Sequence, residues 1–287
     1  MPHELLALAM ALASVLLAPA YDGVERKIRA AIHSRIGPPV LQTWFDIIKL
    51  FSRESVIPEG GCWYVLISAM EFTSLLASTA VFTYLSTTGL YGAMGLETLA
   101  FLILLTTATS LAIVRAVVQN NVFSAVGGFR EFSLTISAEP FLALSYLLLA
   151  SGAGSTATRS LAFLLLALCC YVVSGRTPYD IAEAEPELAA GVNIELAGPL
   201  LGLTVFSTAL KRYLAAGLTA LVLVSLVGFK GLPSLTLTLT MIPPVWVAHA
   251  VAGTLFGRSR VDASVRTLYL ILTCLTLVTL TAYGAGL

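Results

Sequence analysis

Four ionisable side chains lie inside or against long apolar runs: Glu71, Glu139, Lys211 and Arg212. Charge in a hydrocarbon environment is costly, so such groups need counter-ions, water or a working role. Glu71 and Glu139 are candidate partners for the two cations, but one-dimensional spacing cannot pair them. A polar path through a helical bundle would account for all four; a short re-entrant turn at Lys211 is the competing reading. A denser cluster follows Thr177, where Asp180, Glu183, Glu185 and Glu187 fall within eight residues, and Glu195 opens the next apolar run. Carboxylates this close, if buried, cannot all ionise. Repulsion and desolvation raise some of their pKa values toward neutrality, so the cluster could take up and release protons. A plain solvated acidic loop remains the alternative. His249, inside another apolar run, reads as a hydrogen-bonded core histidine more readily than as a relay.

The elements that must position these groups are helices in a membrane. Of the 287 residues, 57% are hydrophobic and 11% charged, against about 25% charged in an ordinary soluble domain. The apolar runs are long and unbroken, without the period-two alternation of a barrel strand. With about 20 apolar residues needed per crossing, the sequence predicts an all-α, polytopic membrane protein forming one transmembrane domain over residues 1–287. Eight spans are expected: Glu4–Tyr21, Cys62–Ser86, Leu96–Val118, Ser133–Ser151, Ser160–Ser174, Glu195–Phe229, Ser234–Gly257 and Ser264–Gly286. The sixth is long enough to be strongly tilted or broken; with no Gly or Pro beside Lys211-Arg212, a single helix is favoured. Pro243-Pro244 predicts a kink in the seventh. In the first connection, Leu41, Trp44, Phe45, Ile48 and Phe51 recur at helical spacing opposite Asp46, Lys49 and Arg53, which predicts an amphipathic helix at the interface.

Twelve of the sixteen basic residues fall on alternate connections or, as Arg115 and Arg266 do, at the span ends beside them; these are the connections after the first, third, fifth and seventh spans. The positive-inside rule then places these loops in the cytoplasm and both termini outside, in a cell inner (plasma) membrane. The first run lacks a basic leader and a small-residue cleavage site, so it reads as a retained helix. Net charge is zero, which argues against nucleic acid. Cys62, Cys169, Cys170 and Cys274 lack metal-ligand spacing and read as small apolar residues. With no glycine-rich phosphate loop, nucleophile elbow or metal motif, neither a catalytic residue nor a metal ligand is expected, and redox chemistry must come from partner chains.

Several segments together resemble the subunit 1 family of respiratory complex I. They are Glu25-Arg-Lys27, Arg35-Ile-Gly-Pro38, Leu41-Gln42 and Asp46-Ile-Ile-Lys-Leu50; then Arg176 through Leu188 and Gly191-Val-Asn-Ile-Glu195; then Arg258 through Asp262 and Arg266. The resemblance spans nearly the whole chain. Gly127-Gly-Phe-Arg-Glu131 followed by Ser137-Ala-Glu-Pro140, with Lys211-Arg212, is similar to the branch found in energy-converting membrane-bound [NiFe] hydrogenases and formate hydrogenlyase. Phe129 departs from that branch, which carries a small residue there.

The resemblance implies a subunit that docks an iron–sulfur peripheral arm and couples its electron transfer to proton or sodium movement. Its implied partners are an iron–sulfur small subunit, a catalytic large subunit and antiporter-like membrane subunits. Iron–sulfur clusters and NiFe would reside in those partners, with a quinone at the interface in the other branch. Carried over, the coupling acids are Glu139, Asp180, Glu183, Glu185, Glu187 and Glu195. Glu71, Lys211 and Arg212 join them by their place in the membrane. Glu25, Arg26, Arg35, Asp46 and Lys49 would shape the docking face, and Arg130 with Glu131 would meet the acidic loop. The competing functions are a quinone-binding subunit, a stand-alone proton-coupled transporter and a passive anchor.

Overall fold

The computed structural model describes residues 2–55, 61–90, 95–152, 154–182 and 191–284, apart from the side chains of residues 2–8 and 62. The described residues form nine α-helices: α1 (Pro2–Ile32), α2 (Gln42–Phe51), α3 (Cys62–Thr88), α4 (Leu96–Val118), α5 (Val122–Ser151), α6 (Thr156–Val173), α7 (Gly198–Val227), α8 (Leu232–Leu255) and α9 (Val261–Gly284). A 3-10 turn, Gly191–Asn193, precedes α7. Seven of them, α3 to α9, are long and apolar enough to cross a membrane.

Local chemistry sets the helix ends. Ser155 and Thr158 form a reciprocal capping box, which starts α6 four residues before the apolar run begins. The Asn121 side chain accepts from Phe123 N at the start of α5. That helix begins eleven residues before the expected span. Its first three turns carry Gly127 and Gly128, which are buried, and Arg130 and Glu131, which are half-buried, while Val122, Phe123, Phe129 and Phe132 on the same turns are exposed. Pro199 opens α7, where its missing N–H leaves no donor unsatisfied. Left-handed Gly152 and Gly228 end α5 and α7. The long sixth span is one continuous helix of 30 residues.

α7 is the axis of the bundle. It packs against α1, α2, α3, α6 and α8, and 72% of its membrane-length window is buried, against 22% for α9. This difference explains how Lys211-Arg212 can occupy an apolar helix: on α7 they face protein groups instead of lipid. Around the same helix lies the apolar core, which includes Phe82, Phe101, Tyr146, Leu214, Leu218 and Trp246. α1 has 31 residues and is therefore about 46 Å long, beyond the roughly 30 Å of a hydrocarbon core. Its far end, from Asp22 onward, carries charge. Gly23 lets the chain entering α2 cross α1 closely: a Cβ there would lie 1.8 Å from Val40 O.

Candidate functional site

The charged groups gather in two regions on either side of α7. The first is a mouth of about 400 Å³ formed by the far end of α1, residues 175–180, α7 and Arg258. Arg176, fully buried, donates from Nε to both Glu25 oxygens at 3.1 and 3.2 Å, and from Nη2 to Oε2 at 2.7 Å. Arg29 Nη2 reaches the same carboxylate at 3.3 Å. The guanidinium carbon lies 4.5 Å from the Trp246 ring centroid, and Nη1 is 3.2 Å from His249 Nδ1. A guanidinium only donates, so His249 accepts at Nδ1 and carries its proton on Nε2. Burial pulls the Arg176 guanidinium below its ordinary value and Glu25 holds it up; it stays charged. Asp22 is equally well supplied. It pairs with Arg212 at 3.0 Å and Arg26 at 3.2 Å, and accepts from Thr43 at 2.9 Å. Asp46 takes Arg26 at 3.0 Å and Gln42 at 2.9 Å.

The second region is a string of smaller spaces inside the bundle. Glu71 on α3 and Arg115 on α4 form a buried ion pair, and Arg115 Nε has no partner among the described residues. Lys211 Nζ lies 3.4 Å from Glu131 Oε1 on α5. Glu139, midway along α5, accepts from the Thr109 hydroxyl of α4. Lys211 also acts electrostatically on both Glu71 and Glu139, so one flexible cation is shared by three carboxylates. A cavity of about 60 Å³ lies among Glu71, Arg115, Glu131, Asp180 and Lys211, room for a few waters.

These spaces are neighbours, each sharing lining residues with the next. The mouth and the inner cavity share Asp180, Asn193, Thr208 and Arg212. Glu131 links the inner cavity to a small space reaching Thr109 and Glu139. Glu139 and Thr135 link that space to a groove of about 540 Å³ between α4 and α5, lined also by Thr106, Ser110, Phe132 and Pro140. The polar line thus enters beside Asp180, turns past Lys211 and leaves sideways at Glu139.

The two described roots of the acidic segment between α6 and α7 flank this line. At the first, Thr177 Oγ1 donates to Gly253 O, Ser259 holds Pro178 O through both N (3.3 Å) and Oγ (2.8 Å), and Arg258 pairs with Asp180 at 3.0 Å. Burial raises the Tyr179 phenol here above its ordinary value. At the second, Gln119 donates to Val192 O at 2.9 Å and Asn121 to Glu195 at 2.5 Å. Both roots rest on Gly127, where a Cβ would lie 2.7 Å from Ala182 O and 3.1 Å from Val192 N. Glu183, Glu185 and Glu187 lie outside the described residues.

Of the residues singled out from sequence, the structure gathers Glu71, Glu131, Glu139, Asp180 and Lys211 along one line and puts Arg212 in the mouth. Glu195 stands apart, at the connection of α4 and α5. Glu25 is buried under Arg176, Arg26 and Asp46 pair with each other, and Arg35 and Lys49 are exposed. Arg130 is half-buried on α5. Asp22, Thr109 and Trp246 escaped sequence reasoning. Asp22 follows the first apolar run and precedes Arg26 by one helical turn, a legible pairing signal; Thr109 looks like any membrane threonine. Among the described residues no group of His, Cys, Asp and Glu could hold a metal ion.

A model of the NADH dehydrogenase family matches residues 5–284. "Hydrogenase-4 component C" of Escherichia coli (strain K12) is 34% identical over 230 residues, 74% of this chain and 72% of the relative. "Formate hydrogenlyase subunit 4" of the same organism is 30% identical over 222 residues, 71% and 72% respectively. In fold, the chain matches one in the structure of the membrane-bound sulfane sulfur reductase, an archaeal respiratory membrane complex. That match has a TM-score of 0.80 and 19% identity, and covers 99% of this chain and 100% of the other.

Proposed function

The chain belongs to the NADH dehydrogenase family, as a membrane subunit of a complex I-like, hydrogenase-type complex, and from that premise we propose that it couples electron transfer in peripheral partners to ion movement along its carboxylate string. The observation that carries this reading is the succession of neighbouring spaces, lined in turn by Asp180, Lys211, Glu131 and Glu139. A passive anchor needs no such line. A stand-alone transporter would open it toward both faces, whereas this one ends sideways, where a second membrane subunit can take up the charge.

In this reading α1 is an eighth span and α2 lies at the interface. Thr43 and Ile47 of α2 turn inward, while Leu41, Phe45, Ile48 and Phe51 are exposed toward lipid. The charged loops face the cytoplasm and the termini lie outside. Iron–sulfur and NiFe centres sit in a small and a large peripheral subunit above the mouth, and antiporter-like subunits lie beside α4 and α5. Arg26, Arg35, Asp46, Lys49 and Arg130 are the residues placed to meet the peripheral arm.

The string holds three carboxylates (Glu71, Glu131, Glu139) against two cations (Arg115, Lys211), so electroneutrality leaves room for one proton. A change of charge at the mouth acts first on Asp180, which borders both cavities. Lys211 then redistributes its attraction among the three carboxylates, and the proton moves to the acid it leaves. The acidic segment, clamped at both roots, carries movements of the arm onto Gly127 and the first turns of α5. The residues around the mouth do not fit a quinone. Eight of the fourteen are charged and only Val205 and Ala209 are apolar, so an isoprenoid tail finds no apolar wall.

The test is Glu139→Gln in the whole complex, reconstituted in liposomes. Electron transfer and assembly should persist while ion uptake falls on the order of tenfold or more. Uptake at the wild-type ratio to electron transfer would sink the proposal. Asp180→Asn and Glu187→Gln should show the same uncoupling.

A further inference from the structure

One groove lies away from the polar line. α9 is the least buried span and packs only against α5 and α6 among the elements it touches closely. Between α5 and α9 is an open groove of about 420 Å³. Val261, Asp262, Val265, Arg266 and Tyr269 line it from α9; their spacing puts them on one face of that helix. Ser133 and Ser137 form the opposite wall. Both serine hydroxyls are used on their own helix, on Phe129 O and Ser133 O, so they contribute small size rather than free donors. Phe141 meets Tyr269, the innermost of these α9 residues, with ring centroids 6.0 Å apart.

The charges at the outer end are open to a ligand. Arg266 is exposed and makes no ion pair or hydrogen bond among the described residues. Asp262, one turn earlier, has only a 3.8 Å approach to Arg260, with both side chains almost fully exposed. Arg266 stands five residues into α9, about 7–8 Å along the helix, a headgroup depth for a spanning helix. A cation and an anion one turn apart, above an apolar trough, match a head that carries both charges.

We propose that this groove binds a zwitterionic aminophospholipid, with its phosphodiester on Arg266, its ammonium on Asp262 and one chain along Val265 and Tyr269. Guanidinium suits the phosphodiester because it donates two parallel hydrogen bonds. A head that is only anionic would meet the Asp262 carboxylate, so the site discriminates between lipids.

The purified complex, stripped of lipid in mild detergent, is incubated with phosphatidylethanolamine or phosphatidylglycerol, and bound lipid is counted by native mass spectrometry. The wild type should retain the former in preference. Arg266→Ala should lower that retention roughly tenfold, as for a lost charge-assisted contact. Asp262→Asn should retain both lipids alike, and Val265→Phe, which fills the trough, should exclude both while leaving the charges in place. Equal retention of the two lipids by the wild type, or undiminished phosphatidylethanolamine on Arg266→Ala, overturns the assignment. If Arg266→Ala fails to assemble, Asp262→Asn and Val265→Phe decide it.

Discussion

The mouth and the inner string hold similar residues in opposite conditions. In the mouth every buried acid is saturated: Glu25 receives Arg176 and Arg29, and Asp22 receives Arg212, Arg26 and Thr43. In the string, Glu71 has Arg115, Glu131 has Lys211 and Glu139 has a single threonine hydroxyl. Saturated charges hold geometry, because moving any one strands the others in a poorly solvated place. Undersupplied charges can change protonation, because their neighbours already tolerate an incomplete set. Burial is common to both regions; what separates them is the number of partners each carboxylate holds, and the proposed coupling rests on that difference.

That contrast can be broken by substitution. Arg176→Ala strands buried Glu25 with only an exposed arginine, and should cost about 3–5 kcal/mol, the penalty for halving a buried pair. Melting temperature and the yield of assembled complex measure it. Next, Lys211→Met should reduce ion uptake on the order of tenfold with a stability loss of about 1–3 kcal/mol, smaller than for Arg176 because the pair with Glu131 is long and not fully buried. Glu131→Gln should follow it with a smaller loss of uptake, because the amide keeps a dipole beside Lys211. If Glu131→Gln unfolds the protein as severely as Arg176→Ala, the distinction between the regions fails. Gly127→Ala should cost about 1–3 kcal/mol through the clash of its Cβ with the two roots, and slow coupling as well. Arg258→Ala, which breaks a partly exposed pair with Asp180, should change stability by at most about 1 kcal/mol, read by the same melting curve.

Much of the string was legible from sequence for a physical reason. Hydrocarbon excludes charge, so Glu71, Glu139, Lys211 and Arg212 stand out against their apolar neighbours whatever the fold. Fold class was legible for the same reason, along with the connections that gather basic residues. Helix boundaries were less so. α5 begins at Val122, at the Asn121 cap, and runs on through Gly127-Gly128 and Arg130-Glu131, which interrupt the apolar pattern without ending the helix. Glu131 lies 3.4 Å from Lys211 and lines the same cavity as Asp180, Ala182 and Val192 at the roots of the acidic segment, a neighbourhood that no local pattern encodes.

By itself, then, the sequence determined that this is an all-α membrane protein and which of its charges need an explanation. Tertiary structure decided who compensates whom. Glu71 meets Arg115 across 44 residues, Glu131 meets Lys211 across 80, and Asp22 meets Arg212 across 190. No local pattern encodes such distances. The adjacent pair shows the reason most directly: successive side chains on a helix diverge by about 100°, so Lys211 pairs with Glu131 in the string while Arg212 pairs with Asp22 in the mouth. Neighbours in sequence serve different regions, and only the packing around α7 assigns them.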